Sequence, residues 1–428
     1  MDLFGCAKNQ VDAETMMAFL GNTGWEKTEE ADDADLIIVN SCGFIESAKK
    51  ESINAVLLWR RLYPEKKILL AGCLAQRYAA ELSQSLPEAD LLFGNTDLEK
   101  IGEAVSSLMH TEEHAAEGSG LCRPGERPLL SFPGSAYVKI SEGCNNRCSF
   151  CAIPLIRGPL KCRGIPDITE ECRDLLDRGI KEFCLVGQDL GSFTARGAGL
   201  PELLEKLSDL PGDFWVRLLY IHPDHFPVKI LDLMERDPRF LPYFDIPFQH
   251  ASEGILQSMN RRGNADAYLE LVDSIRTRLP AAVIRSTFLL GFPGESEKDF
   301  ETLLRFQEKA ELDWLGCFTW SREEDTPAFS MKGRVAKKLA LERKRITEER
   351  QIPITERRMD RFVGQELTVL VEEALEGGGE DLYLGRSYAQ APEVDGAMVI
   401  STEKTLRNGS FVRGRIYGRA GFDLEIRV

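Results

Sequence analysis

No stretch of this chain is apolar for long enough to cross a bilayer: its longest hydrophobic runs, such as residues 68–75, fall far short of the roughly 20 residues a spanning helix needs. A membrane span is excluded. The amino terminus lacks the basic patch and apolar stretch of a secretory signal, so a cytoplasmic location is expected. Positive charge is scarce, with 53 Lys and Arg against 69 Asp and Glu and a net charge of −16. Sequence-independent binding to a phosphate backbone needs clustered cations, and this balance argues against it. A basic protein partner suits the chain better. Internal repeats and low-complexity tracts are also missing, which excludes solenoid and fibrous architectures.

What remains is 428 residues, enough for two to four domains with their own cores. The first hundred alternate short apolar runs (residues 36–40, 67–71 and 91–94) with amphipathic helices (residues 11–20 and 47–61), the pattern of a doubly wound α/β domain. Only Leu3 and Phe4 are left for its first strand. Turn formers without periodicity mark residues 110–129 as a linker, leaving an amino-terminal domain over 1–109. Six βα-like units follow, with strands expected at 136–140, 183–186, 215–220, 243–248, 283–290 and 314–320. They predict a full or partial (β/α) barrel over 130–359, with its working residues at the carboxyl ends of strands. A charged helix over 335–351 is expected to end near Pro353 as a solvated, salt-bridged connector. Beyond it, short strands at 368–372, 382–386, 397–401 and 411–417 are separated by Gly377-Gly378-Gly379, Asp395-Gly396 and Asn408-Gly409. These predict a small all-β barrel over 360–428.

Eleven cysteines in a reducing compartment point to metal binding or catalysis rather than to disulfides. Cys144, Cys148 and Cys151 form a CxxxCxxC run just after the strand at 136–140. Three thiolates this close can hold three corners of a [4Fe-4S] cluster and leave the fourth iron open. The competing reading is a structural zinc site completed by Cys162. Cys6, Cys42 and Cys73 are far apart in sequence, yet each follows the carboxyl end of an expected parallel strand. Their separations of 36 and 31 residues are each about one βα repeat, which brings all three to one sheet edge. Small buried core cysteines are the alternative there.

The CxxxCxxC run resembles that of radical S-adenosylmethionine enzymes, in which the open iron binds the amino and carboxylate groups of the cofactor. The segments 5–12, 39–45 and 71–74 around Cys6, Cys42 and Cys73 resemble the amino-terminal domain of the methylthiotransferases in that group, and the likeness runs over essentially the whole chain. The resemblance implies a radical-SAM partial barrel, a carboxyl-terminal TRAM-like barrel, two [4Fe-4S] clusters and S-adenosylmethionine. It also implies an electron donor such as flavodoxin or ferredoxin, and a sulfur source. Members of the family usually begin several residues earlier. Segments 245–250, 285–288, 291–295, 384–386 and 391–396 look most like the branch that converts an aspartate of small-subunit ribosomal protein S-twelve to 3-methylthioaspartate. A sister branch methylthiolates a tRNA adenosine, and a non-catalytic iron-sulfur or zinc module that binds RNA or protein is the reading from another class.

Residues 364–428 carry 7 cations and 11 anions, and residues 1–109 carry 10 and 18. Both flanks repel RNA and attract a Lys- and Arg-rich ribosomal protein, so direct RNA binding by the carboxyl-terminal domain is not expected. Gly187-Gln188-Asp189 ends the strand at 183–186 where this family's cofactor-binding Gly-Gly-Glu-like motif lies, and a plain turn is its alternative. Gly291 and Glu295 bound a segment whose glycines would let backbone approach an adenosyl group, or would simply make a Pro-Gly turn. His222, Gln249 and His250 end barrel strands, where His250 and Gln249 are candidate catalytic groups and local hydrogen bonding is the alternative.

Overall fold

The computed structural model describes residues 1–110, 124–375 and 381–428. Most of the expected linker and the Gly377-Gly378-Gly379 turn lie outside these residues. In the amino-terminal domain, strands β1 (Asp2–Leu3), β2 (Leu36–Ser41), β3 (Lys67–Gly72) and β4 (Leu91–Phe93) form a parallel sheet in that order. Alternation decides which helix covers which face. Ile38, Leu69 and Ala71 pack against α1 (Ala7–Asn22) and α5 (Ile101–Met109). Ile37, Val39, Ile68 and Leu70 turn the other way, toward α2 (Glu46–Leu62), α3 (Cys73–Arg77) and α4 (Ala79–Ser85). Strands buried on both faces read as unbroken apolar runs, as 36–39 and 68–71 do. The first strand is two residues long.

The central domain is an open parallel sheet of six strands: β5 (Ser135–Lys139), β6 (Glu182–Val186), β7 (Trp215–Leu218), β8 (Phe240–Asp245), β9 (Val283–Leu290) and β10 (Trp314–Thr319), neighbours in chain order. It is the partial form of the expected barrel. Ala136, Val138, Phe183, Leu185, Val216 and Leu218 face the outer helices. The intervening Tyr137, Cys184, Val186, Trp215, Leu241, Tyr243 and Trp314 face inward.

The inner face is not left to solvent. Ala7 and Val11 of α1 join its cluster, as do Val369, Tyr383, Ala389, Met398 and Ile426 of the carboxyl-terminal barrel. That barrel closes with five strands, β11 (Glu366–Leu375), β12 (Asp381–Arg386), β13 (Met398–Thr402), β14 (Phe411–Ala420) and β15 (Asp423–Arg427), in the order 11-12-13-15-14. The last strand was not expected from the sequence. The central sheet is therefore sandwiched between its own helices and the two flanking domains.

The helix Lys337–Asp360 corrects another expectation, because it runs through Pro353 without ending. A proline there costs about 3 kcal/mol through its missing N–H and its clash with the preceding turn. Tertiary contacts offset this: Thr355 Oγ1 donates to Asp313 O (2.9 Å), Arg358 Nε pairs with Asp313 (2.9 Å), and Ile354 and Met359 are buried. The helix is salt-bridged on its outer face, with Arg345 between Glu342 and Glu349, yet Arg343 points inward onto Glu295. It is a packed wall of the central domain as well as a connector.

Candidate active site

Cys6, Cys42 and Cys73 come from three successive strand ends and meet. Cys6 is the N-cap residue of α1, where the backbone N–H groups of Lys8 and Asn9 point at its sulfur. Its surroundings desolvate it, but the Lys8 and Arg157 charges and these N–H groups outweigh that and hold the thiol below its ordinary range. Burial pushes the Cys42 thiol up, and Cys73 up to about 12, with each feeling the charge of Cys6. Close backbone approach is enforced by Gly43, where a Cβ would lie 2.6 Å from the Cys73 carbonyl oxygen. Asn9 knits the set: its Nδ2 donates to Phe4 O (3.0 Å) and Ser41 O (2.8 Å), and its Oδ1 accepts from the Cys73 thiol (3.2 Å).

The loop of Cys144, Cys148 and Cys151 lies beyond the end of β5. Gly143, with φ of 73°, makes the entry turn, where any Cβ would strike the Pro159 carbonyl at 2.2 Å. Four hydrogen bonds from three segments staple the loop: Asn146 Nδ2 donates to Asp189 (2.9 Å), Ser149 N to Met259 O (2.9 Å), Asn260 Nδ2 to Arg147 O (2.7 Å) and Ala328 N to Ser149 O (2.8 Å). Burial raises all three thiols, Cys151 to about 12. Arg261, only 5% exposed, is the cation acting on Cys148 and Cys151. Cys162 stands on a separate two-residue strand, where its sulfur accepts Thr194 N–H (3.4 Å). Among the described residues no group of three His, Cys, Asp or Glu side chains is arranged to hold a single metal ion.

One residue joins the two cysteine sets, and nothing in the local sequence marks it. Arg157 ends the short helix Ile153–Arg157 that follows Cys151. Its guanidinium donates to Cys73 Sγ (3.2 Å) and Asn9 Oδ1 (2.6 Å), and pairs with Asp12 (2.9 Å) and Glu142 (2.9 Å). Ala152 and Ile156 of the same segment pack on Cys73. Asp12 also binds Lys139, which reaches Glu142 (2.7 Å). Burial opposes the charge on Glu142, but Lys139 and Arg157 win and hold it down at about 2.

The remaining expected site residues divide by what they touch. Asp189 is saturated: it accepts from Ser192 Oγ (2.5 Å), Asn146 Nδ2 (2.9 Å), Gly191 N (3.0 Å) and His222 N (3.0 Å), and pairs with His225 Nδ1 (2.7 Å). Burial opposes its charge, these bonds prevail, and the carboxyl sits below its usual range. It organises the cysteine loop and has no acceptor to spare. Gln188 is different, because its Oε1 is buried without a partner, as is Ser141 Oγ, against which Gly187 packs.

Gly291 has φ of 73°, and the space its Cβ would take belongs to Ala340, so the close approach there is to the helix Lys337–Asp360. Glu295 is likewise engaged, by Gly291 N (2.7 Å), Phe292 N (3.2 Å) and Arg343 Nη1 (2.7 Å). His222 Nδ1 accepts Asp224 N–H (3.2 Å), and burial pushes the ring down to about 3. His250 Nδ1 accepts Ser252 N–H (3.0 Å), and burial lowers this ring to about 4. Burial disfavours the charged form of both rings; the Nε2 of His250 is buried without a hydrogen-bond partner, with the Glu295 carboxylate 3.8 Å away. Gln249, at φ of 67°, extends the pairing of β8 with β9 through its backbone.

An open parallel sheet with three cysteines in the loop after its first strand defines a radical S-adenosylmethionine enzyme, here flanked by a second domain that gathers three further cysteines. The comparisons agree. Residues 138–306 match the Radical SAM superfamily, residues 1–94 the Uncharacterized protein family UPF0004 and residues 363–428 the TRAM domain. The fold is shared with the radical S-adenosylmethionine methyltransferase TsrM from Kitasatospora setae, at a TM-score of 0.53 and 14% identity over 73% of this chain and 70% of that one. The chain is 47% identical to ribosomal protein uS12 methylthiotransferase RimO of Treponema denticola, over 99% of each. It is 39% identical to RimO of Thermotoga maritima, over 100% of this chain and 96% of that protein. The chain belongs to the RimO family of radical S-adenosylmethionine methylthiotransferases.

Proposed function

We propose that this chain converts an aspartate of ribosomal protein uS12 to 3-methylthioaspartate, with Cys144, Cys148 and Cys151 holding a [4Fe-4S] cluster that binds S-adenosylmethionine and Cys6, Cys42 and Cys73 holding a second. The observation that carries this reading is the packing of Cys73 against Ala152 and Ile156, in the segment that follows Cys151, with Arg157 of that segment donating to the Cys73 sulfur. S-adenosylmethionine at such a cluster supplies a radical able to take a hydrogen that no side-chain base near neutral pH could remove as a proton.

This chain's own residues bind and orient. The thiols pushed to about 12 give up their protons on ligating iron, so assembly releases protons and is favoured by rising pH. Arg157 and Lys8 balance the negative charge of the amino-terminal thiolates. The orphaned Gln188 Oε1 and Ser141 Oγ fit a donor such as the methionyl ammonium, and Gly187 keeps a Cβ from pressing on the Ser141 hydroxyl. Asp189, Gly291 and Glu295 contribute by shaping the walls. The site works in the cytoplasm with an electron donor such as flavodoxin or ferredoxin and with a sulfur source.

The acidic flanks favour a basic protein over tRNA. Inner residues of the carboxyl-terminal barrel pack into the central domain, and Arg419 on its β14 strand pairs with Glu356 (3.3 Å) and Asp360 (2.5 Å). The test offers reconstituted protein uS12 and, separately, isopentenylated tRNA, and looks for an added methylthio group by mass spectrometry. Modification of uS12 alone is expected. Its binding should weaken with added salt, because exposed charges are screened over about 8 Å at physiological ionic strength. Modification of the tRNA alone overturns the substrate.

A further inference from the structure

We propose that Lys8 is the anchor for the side-chain carboxylate of the substrate aspartate. The proposal rests on the reading of the substrate as an aspartate-bearing protein and assigns the group that recognises it. Lys8 lies in the first turn of α1, two residues beyond Cys6, on the side of the amino-terminal domain that enters the inner face of the central sheet. Its ammonium sits 3.8 Å from the centroid of the Tyr220 ring. Tyr220 follows β7 and holds φ at 70°, an uncommon conformation for an aromatic residue, at the strand end where functional groups of such folds gather.

The argument turns on which cations here are already taken. Arg157 is held by Asp12 and Glu142, Lys139 by the same two carboxylates, and Arg285 by Asp245 (3.2 Å) and Asp395 (3.4 Å). Arg261 donates to Pro247 O (2.7 Å) and faces Cys148. Lys8 has no hydrogen bond and no ion pair among the described residues; the ring face of Tyr220 and the charges of Cys6, Arg157 and Asp245 act on it, Arg157 as a repelling neighbour. A half-buried ammonium is normally paired. An aromatic face stabilises the charge without neutralising it and leaves N–H donors for an anion. It stands beside Cys6, so a carboxylate bound to it would place the adjacent β-carbon between the amino-terminal cysteine set and the strand end at Tyr220.

The experiment uses reconstituted holoenzyme and two synthetic peptides from the modified loop of uS12, one with the target aspartate and one with asparagine in its place. Charge-assisted pairing predicts that the wild-type enzyme binds the aspartate peptide about tenfold more tightly. Lys8→Met should erase that preference and Lys8→Arg should keep most of it, each variant being read as the ratio of its affinities for the two peptides. Equal affinity of the wild-type enzyme for the two peptides overturns the assignment, as does an undiminished preference in Lys8→Met. The first comparison alters only the peptide, so it decides the matter even if Lys8→Met loses iron. Failure of the wild-type enzyme to bind either peptide strikes the ribosomal-protein reading itself, and this proposal with it.

Discussion

Alanine at Cys144, Cys148 and Cys151 together should abolish 5′-deoxyadenosine formation by the reduced protein and remove about half of its iron, while leaving the amino-terminal set loaded. The two sets are built on different scaffolds, one on a loop of the central sheet and the other on three strand ends of the amino-terminal sheet. Each can therefore lose its ligands without dismantling the other. The complementary variant, with Cys6, Cys42 and Cys73 replaced, should lose a similar share of iron and all methylthio transfer, yet still cleave S-adenosylmethionine. Arg157, which donates to Cys73, does not undo this independence. With those thiols neutralised, its charge remains balanced by Asp12 and Glu142, so the central loop should keep its shape. Iron analysis and product chromatography on the two triple variants check both halves. Residual 5′-deoxyadenosine in the first variant would show that other ligands hold the cofactor-cleaving cluster.

Both cysteine sets were legible in the sequence for physical reasons. Three cysteines within eight residues must share a loop, and cysteines one βα repeat apart behind apolar runs must share a sheet edge. The parallel strands were legible because burial on both faces forces continuous apolar runs. The strand Asp423–Arg427 escaped because only Leu424 and Ile426 of its five residues enter the core. Pro353 misled because its cost is local, whereas the contacts of Thr355, Arg358 and Arg361 that offset it come from residue 313, some 40 positions away. Arg157 and Lys8 look like ordinary surface cations in the sequence. Their meaning comes from partners contributed by other elements: Cys73 lies 84 residues from Arg157, and Tyr220 reaches Lys8 from the far domain. Polar candidates at strand ends split for the same reason. Asp189 and Glu295 stand at the expected edge, but only the folded chain reveals that their acceptors are already used.

Replacing Arg386 with alanine should destabilise the protein by about 3–5 kcal/mol, the cost of leaving buried charges unpaired. Arg386 reaches from the carboxyl-terminal barrel into the base of the central sheet, where its Nη2 meets Glu182 (2.6 Å) and its Nε meets Glu372 (2.6 Å). Glu182 also receives Arg217 Nε (2.8 Å), and Arg217 donates onward to Ser387 O (3.1 Å) and Tyr388 O (2.9 Å). Glu182 and Arg217 are wholly buried, so solvent offers no substitute partner. Burial alone would raise the Glu182 carboxyl, but Arg386 and then Arg217 reverse this and hold it at about 2. A folded-state value below the ordinary one gives stability that is present above about pH 4.5 and lost as pH falls toward 2, worth about 3 kcal/mol. Lysine should not rescue the site, because it cannot span two carboxylates with a planar fork. Urea denaturation at about pH 7 and about pH 3.5 separates charge from packing. The gap between wild type and Arg386→Ala should narrow at the lower pH, where the variant's Glu372, left unpaired, and Glu182, left with Arg217 alone, take up protons and stop opposing burial. A gap of unchanged size at both pH values would mean that Arg386 holds the two domains together by its bulk, with the ion network contributing nothing.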